Sequence, residues 1–197
     1  MFQSAVIDCA SLVYMSHLQK QKPFFQYLHS LFHTLYFPSE VINEYAFGLN
    51  LEPHRNWILQ RLKPEQGFYR HCNSYDSLIM SFITNQKGID KGEAEAYAQL
   101  KKVNANLIIS DDKIFIKAIK ELDATIKVYT TVQIICWLEH IHLISDWKSQ
   151  IKAIHLLRPF SSKELRQAYI LMAENLGLQI KKTEISSKCS LVNILRS

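Results

Sequence analysis

Glycine and proline are scarce in this chain of 197 residues, five of each. That leaves too little turn chemistry for a many-stranded all-β sandwich. Long apolar runs are missing too. None approaches the roughly 18 residues that a membrane-crossing helix needs, so no membrane partner is expected. Met1-Phe2-Gln3-Ser4 lacks a basic start and Asp8 interrupts the short apolar stretch behind it, so the sequence predicts no secretory leader and a cytoplasmic protein. The four cysteines, Cys9, Cys72, Cys136 and Cys189, are scattered without a Cys-x-x-Cys pair. This argues against a disulfide framework and against structural zinc, and they read as small buried apolar residues. With 48% apolar and 21% charged residues, the composition excludes disorder, and the length suits a single domain with an appendage.

Net charge is +5 and unevenly spread. Residues 1–144 hold 14 Lys/Arg against 14 Asp/Glu, whereas residues 145–197 hold 9 against 4. The whole basic excess therefore sits in the last quarter, where an anionic partner such as nucleic acid, or mere solvation, would account for it. Lys181, Lys182, Lys188 and Arg196 are the cations in question.

Ala5-Val6-Ile7 is a short β-branched run of the kind found in buried parallel strands. Helical stretches are expected over Ser11–His17, over the aromatic-rich Phe24–Phe37, from Pro38 to a stop at Gly48, and from Trp57 to Pro64. Phe68–Cys72 reads as a short strand and Tyr75–Ile83 as a helix. The loop Gly88–Gly92 feeds an alanine- and glutamate-rich helix start. Asn106–Ser110 is a second buried strand, followed by helix 114–122, strand 126–129 and helix 131–140. This alternation predicts an α/β fold with a parallel sheet and right-handed crossovers. Helices are also expected over Trp147–Leu157 and Ser162–Leu176, the latter closed by Gly177. Residues 178–197 show no periodicity.

Two buried strands end in acid, at Asp8 and at Asp111-Asp112. In open parallel sheets, ligands bind beyond the carboxyl ends of the strands at a topological switch point, so an acid that ends an apolar run points there. Glu44 and Glu93 sit on helices that can face the same place. Two carboxylates about 4 Å apart repel by about 4 kcal/mol at an effective dielectric near 20. Either some are protonated or a hard divalent cation lies among them. An oxygen-only donor set without Cys or His nearby favours Mg²⁺ or Mn²⁺ over Zn²⁺. Each acid also has a plain reading: Asp8 and Asp112 as helix caps, Glu44, Glu93 and Glu95 as solvated helix residues.

At these residues the chain resembles the PIN-domain nucleases, in particular the VapC-type toxin ribonucleases and related PIN-like proteins. Val6-Ile7-Asp8-Cys9-Ala10-Ser11-Leu12 resembles the opening strand with its first acid. Pro38-Ser39-Glu40-Val41-Ile42-Asn43-Glu44 resembles the Pro-x-x-Val-x-x-Glu helix. Gly92-Glu93-Ala94-Glu95-Ala96 resembles the helix start that carries the third acid, and Leu107–Lys113 the strand ending in the fourth. Many toxin members place Ser or Thr two residues after the first acid; Ala10 stands there and Ser11 follows it.

The resemblance implies a three-layer α/β/α PIN-like fold with a central, mostly parallel sheet over residues 1–144, and a C-terminal helical extension and basic tail over 145–197. It implies a Mg²⁺- or Mn²⁺-dependent endoribonuclease in which Asp8, Glu44, Glu93 and Asp112 hold one or two metal ions, with Ser11, Glu95, Ser110 and Asp111 just behind them. Asp112 is preferred over Asp111 because it stands three before Phe115. Glu93 is preferred over Glu95 because the two point about 200° apart on a helix. RNA is the implied substrate, a toxin–antitoxin or defence setting the implied context, and a protein inhibitor and a second copy of the chain the implied partners. The competing readings are a PIN fold kept only as a binding or scaffold module, and a haloacid-dehalogenase-like phosphatase. The latter wants an Asp where Ala10 stands.

Other chemistry-bearing residues have plain readings. His29 and His33, spaced i, i+4, and His140 and His142 read as partly buried histidines rather than metal ligands. The aromatic cluster of Phe24, Phe25, Tyr27, Phe32, Tyr36 and Phe37 reads as core or partner surface before it reads as an RNA-stacking platform.

Overall fold

The β-branched run at the start of the chain forms strand β1 (Gln3–Ile7), and its alternation decides the layering. Ala5 and Ile7 face one side of the sheet, Val6 the other, and all three are fully buried. The computed structural model describes residues 3–18, 23–47, 55–64, 67–72, 75–85 and 88–196. After β1 come α1 (Cys9–Ser16), a 3-10 helix (Phe24–Ser30), β2 (Phe32–Pro38), α2 (Ser39–Phe47), α3 (Arg55–Leu59), β3 (Lys63–Pro64), β4 (Tyr69–Cys72) and α4 (Ser77–Thr84). The second half contains α5 (Lys91–Lys102), β5 (Leu107–Ile109), α6 (Lys113–Leu122), β6 (Lys127–Tyr129), α7 (Thr131–His140), α8 (Trp147–Leu157), α9 (Ser162–Asn175), α10 (Lys182–Lys188) and α11 (Leu191–Arg196).

The six strands form one parallel sheet in the order β3-β4-β2-β1-β5-β6. β1 pairs with β2 on one side (Val6 with Tyr36) and with β5 on the other (Val6 with Ile108). From β1 the chain moves outward through β2, and from β5 it moves the opposite way to β6. The switch point therefore lies between β1 and β5, and the carboxyl ends of these two strands open into it. Asp8 continues the pairing, its amide donating to the Ile109 carbonyl at 3.0 Å, and the Ser110 amide does the same to Tyr129.

Helices cover both faces, giving three α/β/α layers. On one face α5 and α6 bury Ala94, Ala96, Leu100, Phe115 and Ile119 against Val6, Ile108 and Val128. On the other, α1, α7, α8 and α9 bury Leu12, Ile135, Ile151 and Tyr169 over Ile7, Leu35 and Ile109. Each Leu, Ile, Val or Phe among them, fully buried, contributes about 1.5–3 kcal/mol. Residues from 145–197 share this second core: Ile154, Leu165, Met172, Ile185 and Ile194 belong to the same buried cluster as the sheet. No helix among the described residues is long and apolar enough to cross a membrane.

Several expectations need correction. Phe24–Phe37 is not one helix but a 3-10 helix followed by β2. Phe32, Leu35 and Phe37 are buried between β1 and β4, where aromatic side chains pack well on a pleated surface, and this tertiary context overrides the helical spacing. His29 and His33 consequently lie in different elements and are exposed rather than partly buried, as is His142. The helix expected over Trp57–Pro64 is instead α3, Arg55–Leu59, and Pro64 belongs to edge strand β3, where a missing N–H is tolerated. The stretch from 178, expected to lack periodicity, is ordered as far as 196: α10 and α11, too short to show a period, anchor through Ile185, Leu191 and Ile194. Lys188 in this tail is ion-paired with Glu139 at 2.8 Å. The helix stop expected at Gly48 and the side chains of Cys72 and Lys182 lie outside the described residues.

Candidate active site

A strand that runs straight into a helix leaves the helix's first amides without partners, and a short acidic side chain at the junction satisfies them. This happens where β1 runs into α1 and β5 into α6, and a loop acid does the same for α5. Asp8 caps α1, its Oδ1 accepting from the Ser11 amide at 2.8 Å. Asp112 caps α6, its Oδ1 accepting from the Ile114 and Phe115 amides at 2.7 and 2.9 Å. Asp90 caps α5 in a reciprocal box with Glu93: Oδ1 accepts from the Glu93 amide at 2.8 Å, and Glu93 Oε2 accepts from the Asp90 amide at 3.1 Å. The caps fix the positions of these carboxylates from the backbone.

Together they line one cavity of about 200 Å³, walled by Asp8, Cys9, Ala10, Val41, Glu44, Asp90, Gly92, Glu93 and Asp112. The four acids singled out from the sequence thus meet, from four separate segments. Asp90 was missed as a fifth; its place before Lys91-Gly92-Glu93 gives the signal, since an acid three residues ahead of a Glu marks a capping box. Glu44 reaches over Gly92, where an added Cβ would stand 2.8 Å from Glu44 Oε1 and 3.5 Å from Asp90 Oδ1. Only glycine permits that approach.

The residues expected behind these acids divide. Ser110 is fully buried; its hydroxyl donates to Asp8 Oδ2 and accepts from the Asp112 amide at 3.2 Å, joining the two strand-end acids. Asp111 points away from this cavity: Oδ2 accepts from the Ser11 hydroxyl at 2.8 Å and from both the amide and the hydroxyl of Thr131. Glu95, on the opposite side of α5 from Glu93, caps α2 instead, accepting from the Ser39 and Glu40 amides at 3.1 and 2.6 Å. It thereby fixes the helix that carries Glu44. Cys9 corrects the expectation of a donor set without sulfur nearby. It is half-buried, lines the cavity, and its thiol hydrogen-bonds to Glu44.

Burial without a countercharge governs the electrostatics. Asp8, 3% exposed, is pushed up to about 7, chiefly because burial denies its charge water; the Ser110 and Ser11 hydrogen bonds oppose this and the Asp111 charge adds to it. Glu93 also rises to about 7, first through burial and then through the charges of Asp90, Asp112 and Asp8, against the pull of the Asp90 amide. Glu44 is raised by burial as well, opposed by the Cys9 thiol. Lys91, the basic residue between Asp90 and Gly92, turns outward to Glu40 at 3.0 Å. Among the described residues, no three His, Cys, Asp or Glu side chains close into a ready-made metal cage; the carboxylates ring the cavity rather than converge on a point.

Two comparisons with known proteins bear on this site. A family model described as a PIN domain matches residues 4–175, most of the chain and all five acids of the cavity. No curated protein matches.

Proposed function

The chain belongs to the PIN-domain family, and from that premise we propose that it is a metal-dependent endoribonuclease in which Asp8, Glu44, Glu93 and Asp112 hold Mg²⁺ or Mn²⁺. PIN domains are as a rule nucleases that use divalent metals. The observation that carries the reading is the lining of the cavity: five carboxylates and, among the described residues, no basic side chain. Such a set is stable in its charged form only with a cation among its members.

The space suits a hydrated ion. About 200 Å³ leaves room for a cation with several waters around it. Mg²⁺ keeps several of its waters and takes only one or two carboxylates, which agrees with acids that ring the cavity without closing on it. When bound, the cation supplies charge neutralisation at the phosphate and a more acidic water. The chain's own residues do the rest. Ser110 holds Asp8 and the Asp112 backbone together, Glu95 holds α2 and hence Glu44, and Gly92 lets Glu44 lean in. Glu93 gives one oxygen to the Asp90 amide and keeps Oε1 for the cation or for the proton of the attacking water. In-line attack by that water would leave a 5′-phosphate and a 3′-hydroxyl, with no covalent intermediate. The cellular role follows from the resemblance: a cytoplasmic toxin of a toxin–antitoxin or defence pair, held by an inhibitor protein and dimeric.

The test is incubation of mixed single-stranded RNAs with purified protein in Mg²⁺ or Mn²⁺, beside Asp8→Asn and an EDTA control. Cleavage that disappears in both controls is expected. Cleavage that persists with Asp8→Asn, or binding without turnover in any divalent metal, overturns the reading.

A further inference from the structure

Asp112 lines the acidic cavity; its neighbour Asp111 lines a second one, of about 230 Å³, between the carboxyl ends of β5 and β6 and helices α6, α7 and α9. The two cavities are close. The hydroxyl of Tyr14 on α1 feels the charges of Asp111 and Arg158 from the second, and of Asp8 and Asp112 from the first. Ile116, Val132, Phe160, Leu165 and Leu171 give the second cavity apolar walls, and Lys113 and Glu164, ion-paired at 3.3 Å, stand exposed at its edge.

Thr130, Gln133 and Gln167 add polar groups to its wall, and its buried acid is incompletely matched. The Asp111 side chain is 1% exposed. Its Oδ2 takes three donors, but its Oδ1 is buried with no hydrogen-bond partner. The facing cation, Arg158 Nη1, is 3.7 Å away, within Coulomb range and beyond hydrogen-bond reach. A buried acceptor without a donor is costly and rare. With three donors on Oδ2 and a guanidinium beyond Oδ1, Asp111 offers Oδ1 as an acceptor while Arg158 offers donors beside it. The group that matches this pair carries an N–H next to a carbonyl on a flat apolar body. Phe160 is the aromatic side chain in the cavity wall.

We propose that this cavity receives one base of the nucleic-acid substrate, a base presenting a ring N–H beside a carbonyl as uracil and guanine do, with the N–H donated to Asp111 Oδ1 and the carbonyl accepting from Arg158. The inference rests on the nuclease reading for its substrate and adds to it a base-reading subsite next to the reaction centre. Lys113, at the edge of the cavity, is freed at little cost from a surface ion pair and can meet the adjoining phosphate.

The test is an NMR titration of the full chain with uridine and guanosine, and with 3-methyluridine and 1-methylguanosine, in EDTA so that the acidic cavity holds no metal. Uridine or guanosine is expected to shift the methyl signals of Ile116, Val132 and Leu171. The methylated nucleoside, which has lost the ring N–H, is expected to bind roughly ten- to a hundredfold more weakly. Arg158→Leu weakens binding by a similar factor. Ala168→Phe, which fills the cavity from its half-buried wall without removing a charge, abolishes it even if Arg158→Leu does not fold. No binding at about 10 mM, equal binding of the methylated forms, or binding indifferent to Ala168→Phe overturns the proposal. RNA cleavage without base binding here would sink this inference and leave the nuclease; base binding without cleavage would do the reverse.

Discussion

Replacing Asp8 by Asn should stabilise the metal-free protein, and by more the higher the pH. Asn caps a helix about as well as Asp, and it can still accept from the Ser11 amide and meet the Ser110 hydroxyl. The substitution therefore removes a charge and little else. Asp8 has an ordinary value of 3.8 and rises to about 7 in the fold. The native state thus holds the Asp8 proton more tightly than the unfolded chain does, and the Asp8 contribution to stability falls as pH climbs from near 3.8 to near 7 and is level above. About three pH units at roughly 1.4 kcal/mol each set a ceiling of about 4 kcal/mol, and relaxation of the partly hydrated cavity will reduce it. The assay is urea unfolding of wild type and variant in EDTA between about pH 5 and pH 8. The difference between the two isolates Asp8 from every other titrating group. A difference that does not grow with pH, or a variant less stable than wild type at pH 8, would refute the claim that Asp8 is a buried, uncompensated carboxylate.

Further outcomes follow from the same geometry. Mg²⁺ or Mn²⁺ should raise the melting temperature at pH 8, by the equivalent of about 2.7 kcal/mol at a hundred times Kd, and much less at pH 5, where Asp8 and Glu93 are protonated; calorimetry with Asp8→Asn should show the effect gone. Glu93→Gln should abolish metal binding with little loss of stability, while Glu95→Ala should cost about 1–2 kcal/mol by uncapping α2 and weaken metal binding only through Glu44, a contrast that paired titration and unfolding would reveal. Gly92→Ala gains up to about 1 kcal/mol of helix propensity but drives a methyl against Glu44 Oε1, so metal affinity should fall without a matching loss of stability.

What the sequence makes legible here is what local chemistry dictates. Strand ends that stop on an acid, a helix start built from Gly-Glu-Ala-Glu-Ala, and continuous short apolar runs in β1 and β5 each declare themselves within a few residues. The direction of Glu95 does not. Helical geometry says only that it opposes Glu93; that it meets the amides of Ser39 and Glu40 depends on how α2 lies across α5. β2 was hidden for a related reason. Its aromatic residues carry no alternation because Phe32, Leu35 and Phe37 are buried while Thr34, between them, is buried too, so the segment shows no period that favours a strand. The last two helices are short enough that burial of three side chains, not propensity, holds them.

The plain and the functional readings of the strand-end acids are not rivals. A parallel strand feeding a helix needs an acceptor at the junction, and at a switch point two such junctions lie side by side because their crossovers leave in opposite directions. Asp8 and Asp112 are placed there by the cap hydrogen bonds, and Asp112 uses Oδ1 alone for both of its amides, so its other oxygen is not committed to the cap. The helix amides thus do for these carboxylates what a rigid scaffold must do for any metal site: they fix orientation before a ligand arrives. The consequence can be tested. Asp112→Ser retains a cap but has no second oxygen, so it should keep most of the folding stability, within about 1 kcal/mol, while losing metal-induced stabilisation. If Asp112→Ser keeps both, Asp112 is a cap and nothing more, and the cavity's chemistry must be carried by Asp8, Glu44, Asp90 and Glu93 alone.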